Sequence, residues 1–210
     1  MLNTLLKILN KITILVTLQI WFSHAIFADE NSTQIKQLII KLNNEGLSHS
    51  DASNYKEAFS SYNKALQLIN GANLNDGLLE ATLLSNLGHA YLNKEPQEFE
   101  EAIKILKKAV DIRTIDPGNE NHQTNSRNMK QLAFDLWQIG FAYRNMDTSD
   151  DSKNSIHFLK QSLNTYLNFL PEDDALLINP HIDLAMSYLK IENHKKALLH
   201  SQKTLEITLK

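Results

Sequence analysis

The residue types that most often carry chemistry are present in this chain but are not arranged for it. The sequence holds eight His and no Cys, and it contains no H-E-x-x-H motif, so no zinc site is indicated. His194 and His200 are six residues apart, which places them about 120° away from a common helix face. No G-x-S-x-G elbow or phosphate-binding glycine motif occurs. We predict no catalytic residue, metal or cofactor, and expect each His to lie at the surface or in helix packing.

An acidic run and a tryptophan are the other candidates for a special role. The run Asp147–Asp151 lacks the Gly and the terminal Glu of a calcium loop, so we expect a solvated connection between helices. Trp137 is expected to line a core or a groove.

Composition excludes further classes of protein. The 210 residues are 42% hydrophobic and 21% charged, with a net charge of −3, which is typical of a globular chain without a basic face for nucleic acid. Six Gly and four Pro are too few for a loop-rich all-β fold. A helical domain is therefore expected.

The N-terminus has the pattern of a secretory signal peptide. Residues 1–11 carry two Lys and no acid, a mostly apolar run follows to Phe27, and Ala28 precedes an acidic pair. This order predicts cleavage after Ala28, with Ala25 as a second possible site. Because residues 12–28 reach the lower length limit of a membrane span, an uncleaved anchor is the alternative. We expect an exported protein, periplasmic or secreted, which contacts a membrane only if this segment is retained.

One pattern recurs four times in the rest of the chain. A small residue is followed, three positions later, by an aromatic or imidazole ring. The four pairs are Gly46 and His49, Gly88 and Tyr91, Gly140 and Tyr143, and Ala185 and Tyr188. Each pair is followed by a polar connection and then by a second stretch of small and apolar residues. The key positions of that stretch are separated by four and then three residues, which places them on one helical face. The pattern predicts four helix–turn–helix units, with the small residue where two helices approach closely.

These units resemble the tetratricopeptide repeat. The signature is matched best by Leu87–Gly88 with Tyr91 in the second unit, and by Ala58, Tyr62 and Ala65 in the first. The resemblance implies an all-α, right-handed α-solenoid of four helix pairs. After a signal peptide at 1–28 and a short linker at 29–33, we place one domain at 34–210, with repeats at about 34–70, 76–112, 125–170 and 179–209.

The spacing of the repeats resembles one type within this family. Successive small residues stand 42, 52 and 45 positions apart, whereas the common repeat has about 34 residues. This longer period is similar to that of kinesin-light-chain-like repeats.

A ladder of polar side chains is the best candidate for a binding site. The residue two positions before the small one is Asn44, Asn86, Gln138 and Asp183 in successive units. The resemblance implies that the first helices line a concave groove, where an Asn at this place holds the backbone of an extended peptide. Selectivity is expected from the residues that flank the ladder, namely Asn43, Leu47, Ser85, His89, Trp137, Phe141, Ile182 and Met186. The alternative is that all of these are merely solvated helix positions.

The last predicted helix carries more leucine than one packed face can hide. We expect Ala197, Ser201 and Thr204 to face the preceding helix. The residues left near an open edge are Leu198, Leu205 and Leu209. Since exposed apolar strips usually mark contact surfaces, we expect either a homodimer joined through this helix or a partner that covers it.

Together these features predict an exported, non-enzymatic module that binds a peptide or protein segment in a concave groove. The alternative is a membrane-anchored assembly subunit that uses its convex face or its C-terminal edge.

Overall fold

The described part of the chain is built from α-helices and one short 3-10 turn. A computed structural model describes residues 31–210 except 73, 75, 116–121 and 147, so the predicted signal peptide lies outside the described residues. Helix α1 comprises residues 31–51, and it is followed by α2 (Tyr55–Gly71), α3 (Gly77–Asn93), α4 (Phe99–Ile115), α5 (His122–Asn145), α6 (Ser149–Leu167), α7 (Ile178–Lys190) and α8 (His194–Thr208). The 3-10 turn Ala175–Leu177 directly precedes α7.

Polar side chains mark several helix starts. Asp76 accepts a hydrogen bond from the backbone N–H of Leu79 at the start of α3. Thr148 and Asp151 form a reciprocal capping box at the start of α6. Because the first N–H groups of a helix have no partner within it, these caps fix where each chain segment turns into a helix.

Glycine lets the two helices of a pair approach closely. A Cβ atom added to Gly88 would lie 2.6 Å from Leu106 Cγ, and one added to Gly140 would lie 2.6 Å from Leu159 Cγ. Gly46 meets the ring of Tyr62 in the same way. The repeated small residue therefore sits at the helix crossing, as the sequence predicts.

The pairs stack in chain order, and their first helices lie on the inner side. Helix α3 approaches α5, and α5 approaches α7. The second helices α4, α6 and α8 share no such contact with one another within the described residues. Consecutive helix pairs packed in this way confirm the predicted all-α solenoid. We call the side formed by α1, α3, α5 and α7 the inner surface.

A buried ion pair joins α4 to α5. Arg113 Nε lies 3.0 Å from Asp135 Oδ2, and both side chains are almost fully buried. Arg113 also donates to Asn128 Oδ1, and Ser85 donates to Asp135 Oδ2. Burial raises the pKa of Asp135 to about 6, although the Arg113 charge opposes that rise. This network fixes the second pair against the third.

Helix α8 packs on a face that differs from the predicted one. Ala197 is buried as expected and Thr204 is half-buried, but Ser201 is exposed. His200 takes part in the packing instead, because its ring stacks on Tyr188 with centroids 5.6 Å apart.

The ring of His200 also meets a second imidazole. His200 Nδ1 lies 2.9 Å from His181 Nδ1. Burial, with a contribution from His200, lowers the pKa of His181 to about 4. These two His therefore serve helix packing, one of the two roles expected for them.

Candidate binding surface on the inner helices

The first rung of the polar ladder joins α1 to α3. Asn86 Nδ2 donates a hydrogen bond to Asn43 Oδ1 at 2.7 Å. Asn86 is half-buried, whereas Asn44 on α1 is exposed. The two Asn of the predicted ladder thus differ, since one bridges neighbouring helices and the other is open to solvent.

The second rung joins α3 to α5 through His89. Its Nδ1 lies 3.1 Å from Gln138 Oε1, and its Nε2 lies 2.9 Å from Asn93 Nδ2. Since Gln138 Oε1 accepts and Asn93 Nδ2 donates, these contacts fit the tautomer with its proton on Nδ1, which donates to Gln138. Gln138 is 1% exposed, and its Nε2 has no hydrogen-bond partner among the described residues.

The third rung joins α5 to α7 through Asp183. Trp137 Nε1 donates to Asp183 Oδ2 at 2.7 Å, and Arg144 Nε lies 2.8 Å from Asp183 Oδ1. Burial raises the pKa of Asp183, while Arg144 and Trp137 oppose that shift. The carboxylate is therefore held by one hydrogen bond, from Trp137, and one ion pair, with Arg144, both from the preceding pair.

A row of rings runs along the same side of the molecule. Phe134 lies between His89 and Trp137, with centroid distances of 6.3 and 5.2 Å, and Phe141 lies 6.1 Å beyond Trp137. Arg144 ends the row, with its Cζ 5.0 Å from the centre of the Phe141 ring. These α5 residues are spaced by three, four and three, so they share one helix face.

The structure divides the predicted site residues into two groups. Gln138 and Asp183 are buried in contacts between helices, because His89 covers one and Trp137 with Arg144 covers the other. The residues open or partly open to solvent are Asn44, Asn86, His89, Trp137, Phe141 and Met186. Phe134 and Arg144 were not predicted, although their spacing from Trp137 and Phe141 is the signal that identifies them. The binding role of these residues stays a prediction.

Two further observations concern the described residues as a whole. None of the helices there combines the length and the apolar character needed to cross a membrane. Within the same residues, no three His, Asp or Glu side chains come together as a set of metal ligands.

The first two helix pairs match a known family. Residues 37–115 match the model of the tetratricopeptide repeat. No curated protein matches the chain significantly.

Solved structures that match the chain include a kinesin light chain from Podospora anserina with nearly identical TPR-like repeats. The two chains are 12% identical, and the TM-score is 0.40. The match covers 81% of this chain and 94% of the other. The MamA protein is 16% identical, with a TM-score of 0.32, over 82% of this chain and 92% of its own.

The fold indicates a class of function. Tetratricopeptide repeats form protein–protein interaction modules, and such proteins are generally non-catalytic scaffolds.

Proposed function

We propose that the chain is an exported module that binds a peptide or protein segment along its inner surface. The observation that carries this proposal is the row of rings from His89 to Phe141, which is continuous across α3 and α5. Aromatic side chains provide a large apolar contact area with little loss of conformational freedom, and they are enriched where proteins bind one another. Met186, which is 45% exposed on α7, extends the apolar surface.

Polar groups beside the rings supply contacts for a ligand backbone. Asn44 and His89 are exposed, and Gln138 Nε2 is a buried donor without a partner among the described residues. An unsatisfied buried donor is unfavourable by about 1–3 kcal/mol. A peptide that displaces the exposed His89 ring from Gln138 would give both atoms of this carboxamide a backbone partner. Recognition would then combine hydrogen bonds at His89 and Gln138 with apolar contact at Phe141 and Met186.

His89→Glu is expected to reduce partner binding at least about tenfold. The new carboxylate would accept a hydrogen bond from Gln138 Nε2 and would place a charge beside the rings. His157→Glu is the matched control, because His157 is also an exposed His but lies on the second helix α6. The measurement is quantitative mass spectrometry of proteins captured from the native host by the wild type and by each variant.

The two variants must differ for the inner surface to be the binding site. Binding on the inner surface would be contradicted if both variants lost the same amount of captured protein. It would also be contradicted if the wild type and the two variants captured equal amounts. Circular dichroism of each variant checks that the helices are intact.

The mature protein is expected to begin at Asp29. The supporting observation is the change from an apolar run to an acidic pair directly after Ala28. N-terminal sequencing of the protein recovered from the native host tests this expectation. An intact Met1 in the membrane fraction would replace export by anchoring through residues 12–28.

A membrane-anchored assembly subunit is the second candidate function. It is favoured by the leucines that α8 exposes at the C-terminal edge of the solenoid. Capture that survives His89→Glu but fails when this edge is altered would favour it.

A further inference from the structure

Two imidazole rings lie against each other where α8 packs on α7. His181 Nδ1 on α7 and His200 Nδ1 on α8 are 2.9 Å apart, and the centroids of the two rings are 5.1 Å apart. The ring of His200 also stacks on Tyr188 of α7, with an angle of 9° between the two planes. A titratable side chain of α8 therefore contacts two rings of α7.

His200 lies in the middle of the face through which α8 packs. Ala197 and Ile207 are buried residues of α8, and Thr204 is half-buried. Together with His200 these residues are spaced by three, four and three, so they share one helix face. Within the described residues, α8 contacts α7 and the 3-10 turn before it. The contact between the two imidazoles is therefore part of what holds α8 in place.

The space between the two rings admits one proton. A neutral imidazole has one N–H donor and one acceptor nitrogen, so one Nδ1 donates to the other when both rings are neutral. An imidazolium carries a hydrogen on both nitrogens. Two imidazolium rings would place one N–H against the other across 2.9 Å and would bring two positive charges together. The contact between His181 and His200 cannot persist when both rings are charged.

The charges that act on the pair disfavour protonation of either ring. On α8, Lys203 acts on His181 and Lys196 acts on His200. Lys160 of α6 also acts on His200. Because all three groups are cations, each makes a neighbouring imidazolium less favourable.

The acids of this region are engaged with lysines. Glu206 lies 3.1 Å from Lys203 Nζ, and Asp173 lies 2.9 Å from Lys210 Nζ. Glu172 also acts on Lys203. Within the described residues, none of these carboxylates is among the charges that act on the two imidazoles. A charged ring would therefore lack a counter-ion in the packed state.

The packed rings consequently bind protons less readily than rings in water. Burial, with the charges of His200 and Lys203, lowers the pKa of His181 to about 4. Burial, with the charges of Lys160 and Lys196, also lowers the pKa of His200. Since a solvated His has a pKa of about 6.5, the separated rings bind more protons than the packed rings below that pH. Acid therefore favours separation, which develops as the pH falls from about 6.5 towards about 4.

We propose that the contact between His181 and His200 is a pH-sensitive switch, which holds α8 on α7 near neutral pH and releases α8 in acid. Release would open the apolar cluster in which Ala197 and Ile207 of α8 pack with α7. The proposal does not depend on peptide binding along the inner surface, because neither His belongs to the row of rings.

Hydrogen exchange of the full chain at about pH 7.5 and about pH 5 tests the proposal. The protection of the α8 amides, corrected for the intrinsic exchange rate at each pH, is expected to fall at least about tenfold on acidification. A pKa that changes from about 4 in the packed state to about 6.5 in the separated state gives about thirtyfold for His181 alone. The amides of α3 should keep their protection and serve as the internal reference.

Variants of the pair assign the response to the imidazoles. His181→Leu/His200→Phe removes both titratable groups but keeps apolar side chains of similar size and a ring beside Tyr188. Its α8 protection should change less than about threefold between the two pH values. His200→Gln, which leaves one titratable ring and a polar partner for it, should respond less than the wild type and provides a second, milder variant. His194→Gln is the matched control and should respond like the wild type, because His194 is an exposed His of the same helix.

Several results would overturn the proposal. They are an α8 protection that does not change with pH, an equal fall in His181→Leu/His200→Phe, or an equal fall in the amides of α3. A thermal midpoint that zinc chloride raises at neutral pH in the wild type but not in His200→Gln would assign the two imidazoles to a metal instead. The expected result is an equal midpoint with and without zinc.

Discussion

Gly88→Leu is expected to lower the free energy of unfolding by about 3 kcal/mol, the upper part of the range for overpacked cores. An added Cβ would lie 2.6 Å from Cγ and 2.8 Å from Cδ2 of Leu106. Leu106 is fully buried, so it has no free space into which to move. The two helices of the second pair would have to separate. The higher helix propensity of Leu, worth about 1 kcal/mol over Gly, offsets only part of this loss.

Gly71→Leu is the matched control for this prediction. Gly71 ends α2, is exposed, and has no atom within 4 Å of a Cβ added there. Its substitution should leave the urea midpoint unchanged or slightly raised. A Gly88→Leu variant as stable as the wild type would contradict the close helix crossing at the repeated small residue.

Asp135→Ala is expected to lower the free energy of unfolding by about 3–5 kcal/mol, because it leaves the buried Arg113 without its counter-charge. The guanidinium cannot lose its proton in compensation. Urea denaturation at neutral pH measures the effect.

Removing the other partner should give a different result. In Arg113→Met the buried Asp135 carboxyl can take up a proton. Since burial already raises its pKa to about 6, the folded state then binds more protons than the unfolded state. The variant should therefore recover stability as the pH falls from 8 to 5.

An exposed ion pair supplies the control for these two variants. Lys153→Ala removes the pair with Asp150 at the surface of α6, and such pairs contribute little to stability. An Asp135→Ala variant as stable as Lys153→Ala would contradict the role of the buried pair.

The helix pairs could be predicted because one small residue recurs at each crossing. Gly46, Gly88 and Gly140 have no side chain to clash, so their recurrence predicts that the two helices of each pair pack closely. The face of α8 was predicted less well. In the first three pairs a large residue packs on the glycine, for example Leu106 on Gly88, but the fourth pair has Ser201 at that position. Ser201 has little to bury, and the neighbouring His200 packs on Tyr188 instead.

The buried network could not be predicted from residue type. Arg113 stands before a Pro- and Gly-containing segment, and arginine is usually exposed. Its burial depends on Asp135, which is 22 positions away and approaches only when the second and third pairs stack.

The burial of the polar ladder residues also could not be predicted from the sequence. Spacing places Gln138 and Asp183 on the inner side of their helices, but it does not reveal how closely the next helix lies. Gln138 is covered because the His89 ring reaches across from α3, and Asp183 because Trp137 and Arg144 reach across from α5.

Photo-crosslinking from single positions tests most directly whether the partner binds the inner surface. Benzoylphenylalanine is placed at position 89 on α3 in one protein and at position 157 on α6 in another, and each is irradiated in the native host. A partner on the inner surface should crosslink from position 89 and not from position 157. Crosslinks from position 157 with none from position 89 would contradict binding on the inner surface.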